Sequence, residues 1–504
     1  MGGDAEDRLG AGEGGPAVPE SPGPGWTPLN PSPDSRLVYV SSSTGNDSFN
    51  GLSESTPKQT LAAAFALLRD GYPDWLLLRC NDSWSKAMPS WGNSGRSAAE
   101  PMVVRSYGTG ERPLLLTGSS RGFDLTSYPT ARAHLAITDI HCIAHTNVGT
   151  ASDGGVEIVN SWSDVLIENC RFERYQTNIS IQGLETRPRD IRIRRCVING
   201  SIAVSGLSSG VLVGHADDIL IEENLFDHNG WNLSIPGCTP TVFSHNVYIN
   251  PDNTTGVITR GNIVARGAAS GLRSSGWLCE DNLMLQNPVG LALGPDTRIV
   301  RRNVFLDSRN IDAANPRVLG MDGTIGPGVQ IYDNTLAHQV SGTGNTRAIS
   351  LGGVYNGLTL RHNVVYDWVQ TVNSQAPALV LDGAPTGSVS VVDNQFQQNH
   401  GALIAQFQPV PLFAYTFARN LYFNTGTPSP FLAMPSPLTY ADRLARSGGL
   451  GSQFEQRTYS APDRSIATYM MSMGGAPSLD AFLSLAAQQS RQNWRPDFTA
   501  AAVN

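Results

Sequence analysis

Short apolar segments separated by polar turns follow one another through the central part of the chain. One arrangement recurs: an apolar residue, two polar residues, asparagine, any residue and a second apolar residue, as in Ile221–Phe226. Apolar residues at alternate positions on both sides of the asparagine predict two short strands, each with one buried face. Copies of this phrase are centred at Asn224, Asn246, Asn262, Asn282, Asn303, Asn334, Asn363, Asn394 and Asn420, and earlier copies carry Cys170 and Cys196 instead.

The copies lie 16 to 31 residues apart, a period that predicts a solenoid built from β-rich coils. We expect the asparagines to occupy a left-handed corner and their amides to bond to one another from coil to coil. Each coil also contains a third apolar strand. Its clearest copies are Val156–Ile158, Ile179–Ile181, Val211–Val213, Leu291–Leu293, Ile349–Leu351 and Leu379–Leu381.

Three strands per coil with asparagine at one corner resemble the right-handed parallel β-helix of the pectate-lyase-like superfamily, over roughly residues 135–425. The resemblance implies an all-β fold, a three-sheet β-solenoid, and an extracellular or periplasmic protein that acts on polysaccharides. No signal peptide precedes it in the sequence as written. Because this fold carries many activities, the resemblance is specific for architecture and weak for function.

The remaining segments are predicted to close this solenoid. Residues 1–36 are rich in glycine and proline with hardly any apolar pattern, and we expect a disordered tail. Residues 37–134 should form an N-terminal cap and the first coils, with a short helix at 60–68. The β-helix should occupy 135–425, and residues 426–504 are predicted to form an irregular, partly helical C-terminal cap.

Composition narrows the possible partners. The formal net charge of −8 argues against nucleic acid, and no apolar run is long enough to span a membrane. The chain has only two lysines, Lys58 and Lys86, so every basic residue of the repeat is an arginine. The six cysteines show no metal-binding spacing, and two of them occupy the inward corner, which predicts buried free thiols. The oligomeric state stays open.

Two polar segments are expected to converge on the third sheet. His215 and Asp217 follow one of its strands, whereas Asp227, His228 and Trp231 precede the next. His228 could transfer a proton, with Asp227 or Asp217 orienting it and His215 nearby, and Trp231 could stack on a sugar ring. The alternative is a hydrogen-bonded loop in which Trp231 serves only to pack.

Arg273 is the outward residue of its third-sheet strand and has only glycine and serine around it. A long cation on such a bare surface suits a carboxylate or sulfate, and Arg266 on the preceding coil could join it. The alternative is a surface arginine in a salt bridge. Short coils between longer loops predict a groove here.

Two further residues are predicted to be structural. Tyr248 is expected to point inward in a column of core aromatics. His245 is expected on an outward column of mixed charge on a solvated face. The other members of that column are Glu223, Asp281, Arg302, Asp333, His362 and Asp393.

These expectations favour a lyase that cleaves an extracellular acidic polysaccharide by β-elimination. The resemblance implies an arginine or lysine base and often Ca²⁺, but no calcium loop is evident and the coils hold no lysine. A glycoside hydrolase needs a spaced carboxylate pair, which adjacent Asp217 and Asp218 do not form because neighbouring strand residues face opposite ways. An epimerase and a non-catalytic polysaccharide-binding or adhesin-like protein remain open alternatives.

Overall fold

The computed structural model describes residues 25–504 except 252, 275, 312–316, 342–344, 369–375, 399, 407–414, 427, 434–435, 448 and 460. Contacts divide the chain into residues 1–30 and 31–504. Most of the predicted disordered tail, residues 1–24, lies outside the described residues. Residues 25–36, the last part of the predicted tail, are described, and their C-terminal end contacts the solenoid. The Arg36 guanidinium donates to the carbonyl of Leu67 at 2.5 Å, and Ser35 Oγ donates to the carbonyl of Pro73 at 2.6 Å.

Parallel strands form a β-solenoid of about 12 turns, which confirms the predicted parallel β-helix. Each turn passes through three faces, here called the side, back and front sheets. The side sheet contains Leu37–Val40, Trp75–Arg79, Met102–Tyr107, Arg189–Arg194, Asp217–Glu222, Ile258–Arg260, Leu278–Glu280, Ile299–Arg301, Gln330–Tyr332, Leu358–Arg361, Val389–Val392 and Tyr415–Ala418.

The back sheet follows the side sheet in each turn. Its strands are Ser83–Trp84, Leu114–Leu116, His141–Ile143, Arg171–Glu173, Val197–Asn199, Leu225–Asp227, Ile263–Ala265, Leu283–Leu285, Val304–Arg309, Thr335–Ser341, Val364–Tyr366, Gln395–Gln398, Leu421–Asn424 and Gln453–Phe454.

The front sheet completes the turn and contains the predicted third strands. Phe123–Thr138 and Gly154–Glu168 run through both front and side sheets. The other front strands are Thr177–Gln182, Ser209–Gly214, His245–Ile249, Ser270–Ser274, Val289–Leu293, Arg317–Ile325, Asn345–Tyr355, Leu379–Leu381, Ile404–Gln406 and Phe431–Ala433, with short Ala384–Pro385 and antiparallel Ser436–Leu438 alongside.

The predicted asparagine ladder lies at the corner between side and back sheets. Nδ2 of Asn224 donates to Oδ1 of Asn262 at 3.0 Å, and the same bond links each member to the next. The ladder continues through Asn262, Asn282, Asn303, Asn334, Asn363, Asn394 and Asn420, at 2.9 to 3.1 Å per step. Each amide thus finds partners although it is buried.

Asn246 belongs to a second ladder, contrary to the prediction. At the corner between back and front sheets, Asn178 donates to Asn229, Asn229 to Asn246, and Asn246 to Asn287, at 3.1, 2.9 and 3.5 Å. The strand His245–Ile249 pairs with Ser209–Gly214 of the front sheet, so its phrase has no side strand before it. The 16-residue interval from Asn246 to Asn262 is therefore not a coil.

The left-handed corner residue is the one before the ladder asparagine, which corrects a second expectation. Glu223, Asp281, Arg302 and Asp333 have φ between 53° and 57°, whereas the asparagines after them do not have positive φ. The left-handed residue reverses the chain and points outward. The asparagine is then free to place its amide inside the corner. Charged side chains can therefore occupy the left-handed position without entering the core.

The core fills the solenoid from end to end. Phe172, Phe226, Phe305 and Phe396 are fully buried on the inner face of the back sheet, as predicted. All six cysteines are free and buried. Burying apolar surface stabilises such a fold by about 25 cal/mol per Å².

The solenoid ends are covered by short elements, and the C-terminal segment divides in two. The helix Leu61–Phe65 packs on the first coil and begins at Thr60, whose side chain accepts from the amide of Ala63. The helix Tyr440–Ser447 packs at the last coil. Residues 461–504 instead run back along the outer face of the back sheet. They include the helices Ile466–Ser472, Leu479–Ala486 and Ala500–Val503.

Candidate functional site

A single outward row of side chains crosses the front sheet from coil to coil. Strand register places Leu212, Tyr248, Arg273, Ala292 and Asp322 side by side in that order. Tyr248 is therefore an outward residue and only half-buried, which corrects the prediction that it is a core aromatic. Adjacent members of such a row lie about 4.8 Å apart, so the row offers several groups to one extended ligand.

A cavity of about 300 Å³ opens on this row. Its floor is Arg273 and Ala292, and Asp322 lies at one end. Insertions before and after the strand His245–Ile249 contribute walls, through Val242 and Pro251. The remaining lining residues are His245, Ser270, Val289, Leu293, Gly294, Pro295, Arg317, Gly323 and Thr324.

Three of these front-sheet residues form a stack. The Arg273 guanidinium lies over the Tyr248 ring, 5.1 Å from its centroid, and the His245 ring is stacked on Tyr248 with centroids 5.3 Å apart. Arg273 is exposed, and among the described residues it makes no ion pair. A cation held against an aromatic face is oriented without being neutralised, and it keeps its donors available for an anion.

His245 is buried rather than solvated, which corrects the prediction of an outward charged column. Only 2% of the residue is exposed, and neither ring nitrogen has a hydrogen-bond partner among the described residues. Burial, together with the positive charges of Arg273 and Arg317, lowers the pKa of His245 to about 3. The imidazole is therefore neutral near pH 7 and presents one donor and one acceptor.

The predicted partners of Arg273 lie elsewhere. His228 and Trp231 sit at the corner before the front sheet, stacked on each other with ring centroids 3.9 Å apart. Trp231 is 7% exposed, and its indole N–H donates to the carbonyl of Arg266 at 2.9 Å. Burial lowers the pKa of His228. Neither residue lines the cavity. This geometry gives the pair a packing role at the base of the wall loop.

Asp227 and Arg266 are engaged with each other. Both carboxylate oxygens of Asp227 accept from the Arg266 guanidinium, at 2.8 and 2.6 Å. Arg266 also contacts Asp480 of the C-terminal segment at 2.6 Å. Both residues are thus committed to holding that segment against the solenoid rather than to a ligand in the cavity.

His215 and Asp217 lie past the opposite edge of the front sheet. His215 is exposed, and its Nδ1 is 3.1 Å from the carbonyl oxygen of Gly183. Asp217 begins a side strand, and the bond from Arg187 lowers its pKa. A five-residue front strand, about 16 Å long, separates this edge from that of His228. The predicted convergence on one groove does not occur.

The sequence also contained a signal that groups Arg273 with two residues not predicted for the site, Tyr248 and Asp322. When the third strands are aligned on their inward apolar residues, Tyr248, Arg273 and Asp322 share the central outward position. This alignment was not evident from the sequence, because the phrase around Asn246 has the same local pattern as the phrases at the corner between side and back sheets. The short interval to Asn262 is the one feature that marks it as different.

Within the described part of the chain, no group of three or more histidine, cysteine, aspartate or glutamate side chains could hold a metal ion. No chemical step is assigned to the Ca²⁺ that the resemblance allows. No helix among them is long and apolar enough to cross a membrane.

Comparisons with known proteins return likenesses to solved structures only; no protein-family model and no curated protein matches this chain. The GH136 lacto-N-biosidase of Eubacterium ramulus is 12% identical, with a TM-score of 0.35 over 84% of this chain and 68% of that chain. The A-module of the mannuronan C-5 epimerase AlgE4 of Azotobacter vinelandii is 13% identical, with a TM-score of 0.40 over 76% and 91%. A tailspike protein of E. coli bacteriophage HK620, in complex with a pentasaccharide, is 13% identical, with a TM-score of 0.43 over 75% and 73%.

Proposed function

We propose that this chain binds an extracellular or periplasmic acidic polysaccharide along its front sheet and cleaves it by β-elimination. One observation carries the proposal: Arg273, an exposed guanidinium with no ion pair among the described residues, lies on the floor of a cavity against the phenol of Tyr248. A guanidinium in this setting matches a sugar carboxylate, which it can bind through two parallel hydrogen bonds.

The chemistry follows from that placement. Pairing the carboxylate with Arg273 stabilises the negative charge that develops when the proton on the adjacent carbon leaves. Tyr248, in contact with the same guanidinium, is the group assigned to proton transfer. The C–H bond breaks, a C=C bond forms, and the C–O bond to the next sugar breaks. The abstracted proton passes to the deprotonated Tyr248 oxygen, and the resulting phenol gives a proton to the departing oxygen, which regenerates the base.

A hydrolase is less well supported at this cavity. Glycosidases of the two-carboxylate type need an acid and a nucleophile or base on either side of the bond. Among the described residues that line the cavity, Asp322 is the one carboxylate.

The test is the appearance of unsaturated uronate ends, followed by ultraviolet absorbance, with a panel of acidic glycans. Arg273→Ala should weaken binding at least about tenfold, because it removes a charge-assisted bidentate contact. Tyr248→Phe should lower turnover and leave binding largely intact. Binding to the wild-type chain should weaken as salt rises.

Arg419→Ala is the matched control, because this arginine is 61% exposed and pairs with Asp393 on the opposite corner. It should behave as wild type. Unchanged binding in Arg273→Ala would contradict the proposal. If wild type and all variants bind the glycan but form no product, the protein binds polysaccharide without cleaving it, and the β-elimination part of the proposal is wrong.

A further inference from the structure

His245 is a buried residue that lines the cavity, and its imidazole makes no hydrogen bond to the part of the chain that the structure describes. Its exposure is 2%, and both nitrogens are unpartnered among the described residues. A buried donor or acceptor left without a partner is costly. In a native protein such a group calls for an explanation, for example a catalytic role or a partner supplied by water or an ion. Because His245 is one of the residues that line the cavity, a molecule bound there lies beside it.

The surroundings of the ring limit what that molecule can present. Tyr248 covers one face of the imidazole, and the neighbouring strand places Ser270 directly beside His245. Val242 and Val289 also line this part of the cavity. Apart from the hydroxyl groups of Ser270 and Tyr248, these neighbours are apolar, and the imidazole nitrogens lie among them without a hydrogen-bond partner. A small polar group fits there better than a bulky substituent.

The charged neighbours fix the state of the ring. Arg273 and Arg317 are the charged groups that act on His245, and with burial they keep it neutral near pH 7. A neutral imidazole offers one N–H donor and one acceptor nitrogen. A hydroxyl group meets one of the two nitrogens, and it can either donate to the acceptor nitrogen or accept from the N–H. An acetyl or sulfate ester has acceptors only, and so cannot satisfy the acceptor nitrogen.

We infer that His245 is a specificity-determining residue that reads a free hydroxyl group on the acidic sugar whose carboxylate is held by Arg273. The site therefore takes uronic-acid units that are unsubstituted at that hydroxyl and rejects O-acetylated or O-sulfated ones. This inference rests on the proposed function, because it needs the carboxylate of the same sugar unit on Arg273. It adds the substrate class to that proposal.

The test compares two glycans, each in an unmodified and an O-acetylated form. Polygalacturonate and alginate are each used before and after chemical O-acetylation, and affinities are measured by titration calorimetry. Wild type should bind the unmodified form at least about tenfold more tightly, because a site with buried polar groups discriminates strongly against a ligand that leaves them unpaired.

Two substitutions assign that discrimination to the imidazole. His245→Phe keeps an aromatic ring but no polar atom, and it should lose about tenfold in affinity for the unmodified glycan together with most of the discrimination. His245→Gln retains a donor and an acceptor and should keep most of both. His362→Phe is the control, because that histidine is 50% exposed at another corner and should change neither value.

The outcomes separate the two proposals. Equal binding of both glycan forms by wild type overturns this inference without any substitution, whatever the stability of the variants. Unchanged discrimination in His245→Phe overturns it as well. Unchanged affinity in Arg273→Ala overturns the proposed function instead, and an absence of binding in wild type overturns both.

Discussion

His245 shows how a single residue can link the site to the stability of the fold. Its folded pKa is about 3, below the ordinary value of 6.5, because burial and two arginines oppose protonation. Between these values the unfolded chain binds a proton that the folded chain does not. Its contribution to the free energy of unfolding is therefore complete above pH 6.5 and is lost as the pH falls toward 3.

Replacing His245 with phenylalanine should reduce this loss. At pH 5 the lost stability from this residue amounts to about 2 kcal/mol, relative to pH 8. Urea unfolding at both pH values should therefore show His245→Phe gaining about that much on wild type when the pH is lowered. An identical pH dependence in the two proteins would mean that His245 can be protonated in the folded state.

The asparagine ladder gives a second prediction at the scale of one residue. Asn303 accepts from both the backbone and the side chain of Asn282, and its Nδ2 donates to Asn334. Asn303→Leu removes these bonds, together with those from Nδ2 to the carbonyls of Cys279 and Arg301, and leaves buried amides unpaired. The free energy of unfolding should therefore fall by at least about 1–3 kcal/mol. Thermal or urea unfolding would measure it, and an unchanged midpoint would deny the ladder a stabilising role.

The features that could be predicted from the sequence are those that recur at a fixed position of the repeat. The side-to-back ladder and the inward phenylalanines follow from a fixed position in a repeated phrase. The position of Asn246 could not be obtained that way, since two corners use the same local phrase and differ only in which strand comes next. Arg273 was identified from its outward register alone. Its neighbours Tyr248 and His245 were misplaced because the strand before Asn246 was assigned to the wrong sheet.

At the scale of whole strands, the last side-strand residues alternate in charge from coil to coil. Register aligns Glu168, Arg194, Glu222, Arg260 and Glu280. Successive nitrogen–oxygen distances are 2.8, 2.6, 2.6 and 3.8 Å. Burial alone would raise the pKa of Glu222, but Arg194 and Arg260 outweigh it and hold that pKa below its usual value. The alternation could be predicted by aligning the residue two positions before each corner.

Arg194→Met tests whether this charge ladder stabilises the strands. The guanidinium is 1% exposed and sits between two buried carboxylates, so its loss should lower the free energy of unfolding by about 3 kcal/mol. Arg189→Met on the same strand is the control, because Arg189 is 66% exposed and should change stability by less than about 0.5 kcal/mol. Since the ionised form of Glu222 is favoured by folding, the difference between wild type and Arg194→Met should shrink as the pH falls below 4.5.

At the scale of the molecule, the C-terminal segment 461–504 covers the outer face of the back sheet. Back strands such as Leu283–Leu285 are apolar at every position, so both of their faces need cover. Helices of the segment supply it by packing Met470, Phe482 and Ala486 on the strip. The back-sheet residues that form this apolar strip are Val197, Leu225, Ile263, Ala265, Leu283, Leu285, Val304, Leu306 and Ala337. The wholly apolar strands signalled a covering element, but nothing in the sequence identified which segment it is.

Deleting residues 461–504 should therefore expose an apolar strip along the solenoid rather than only its end. Arg491, which contacts Glu168 at 2.8 Å, and Asp480, which contacts Arg266 at 2.6 Å, show that the segment is fastened over many coils. A contiguous apolar surface of this kind binds hydrophobic dyes and promotes association. We expect a severalfold rise in anilinonaphthalene sulfonate fluorescence and oligomers in analytical ultracentrifugation, whereas deletion of residues 1–24, which have no apolar pattern, should change neither. A truncated chain that stays monomeric with unchanged dye fluorescence would show that the strip needs no cover in solution.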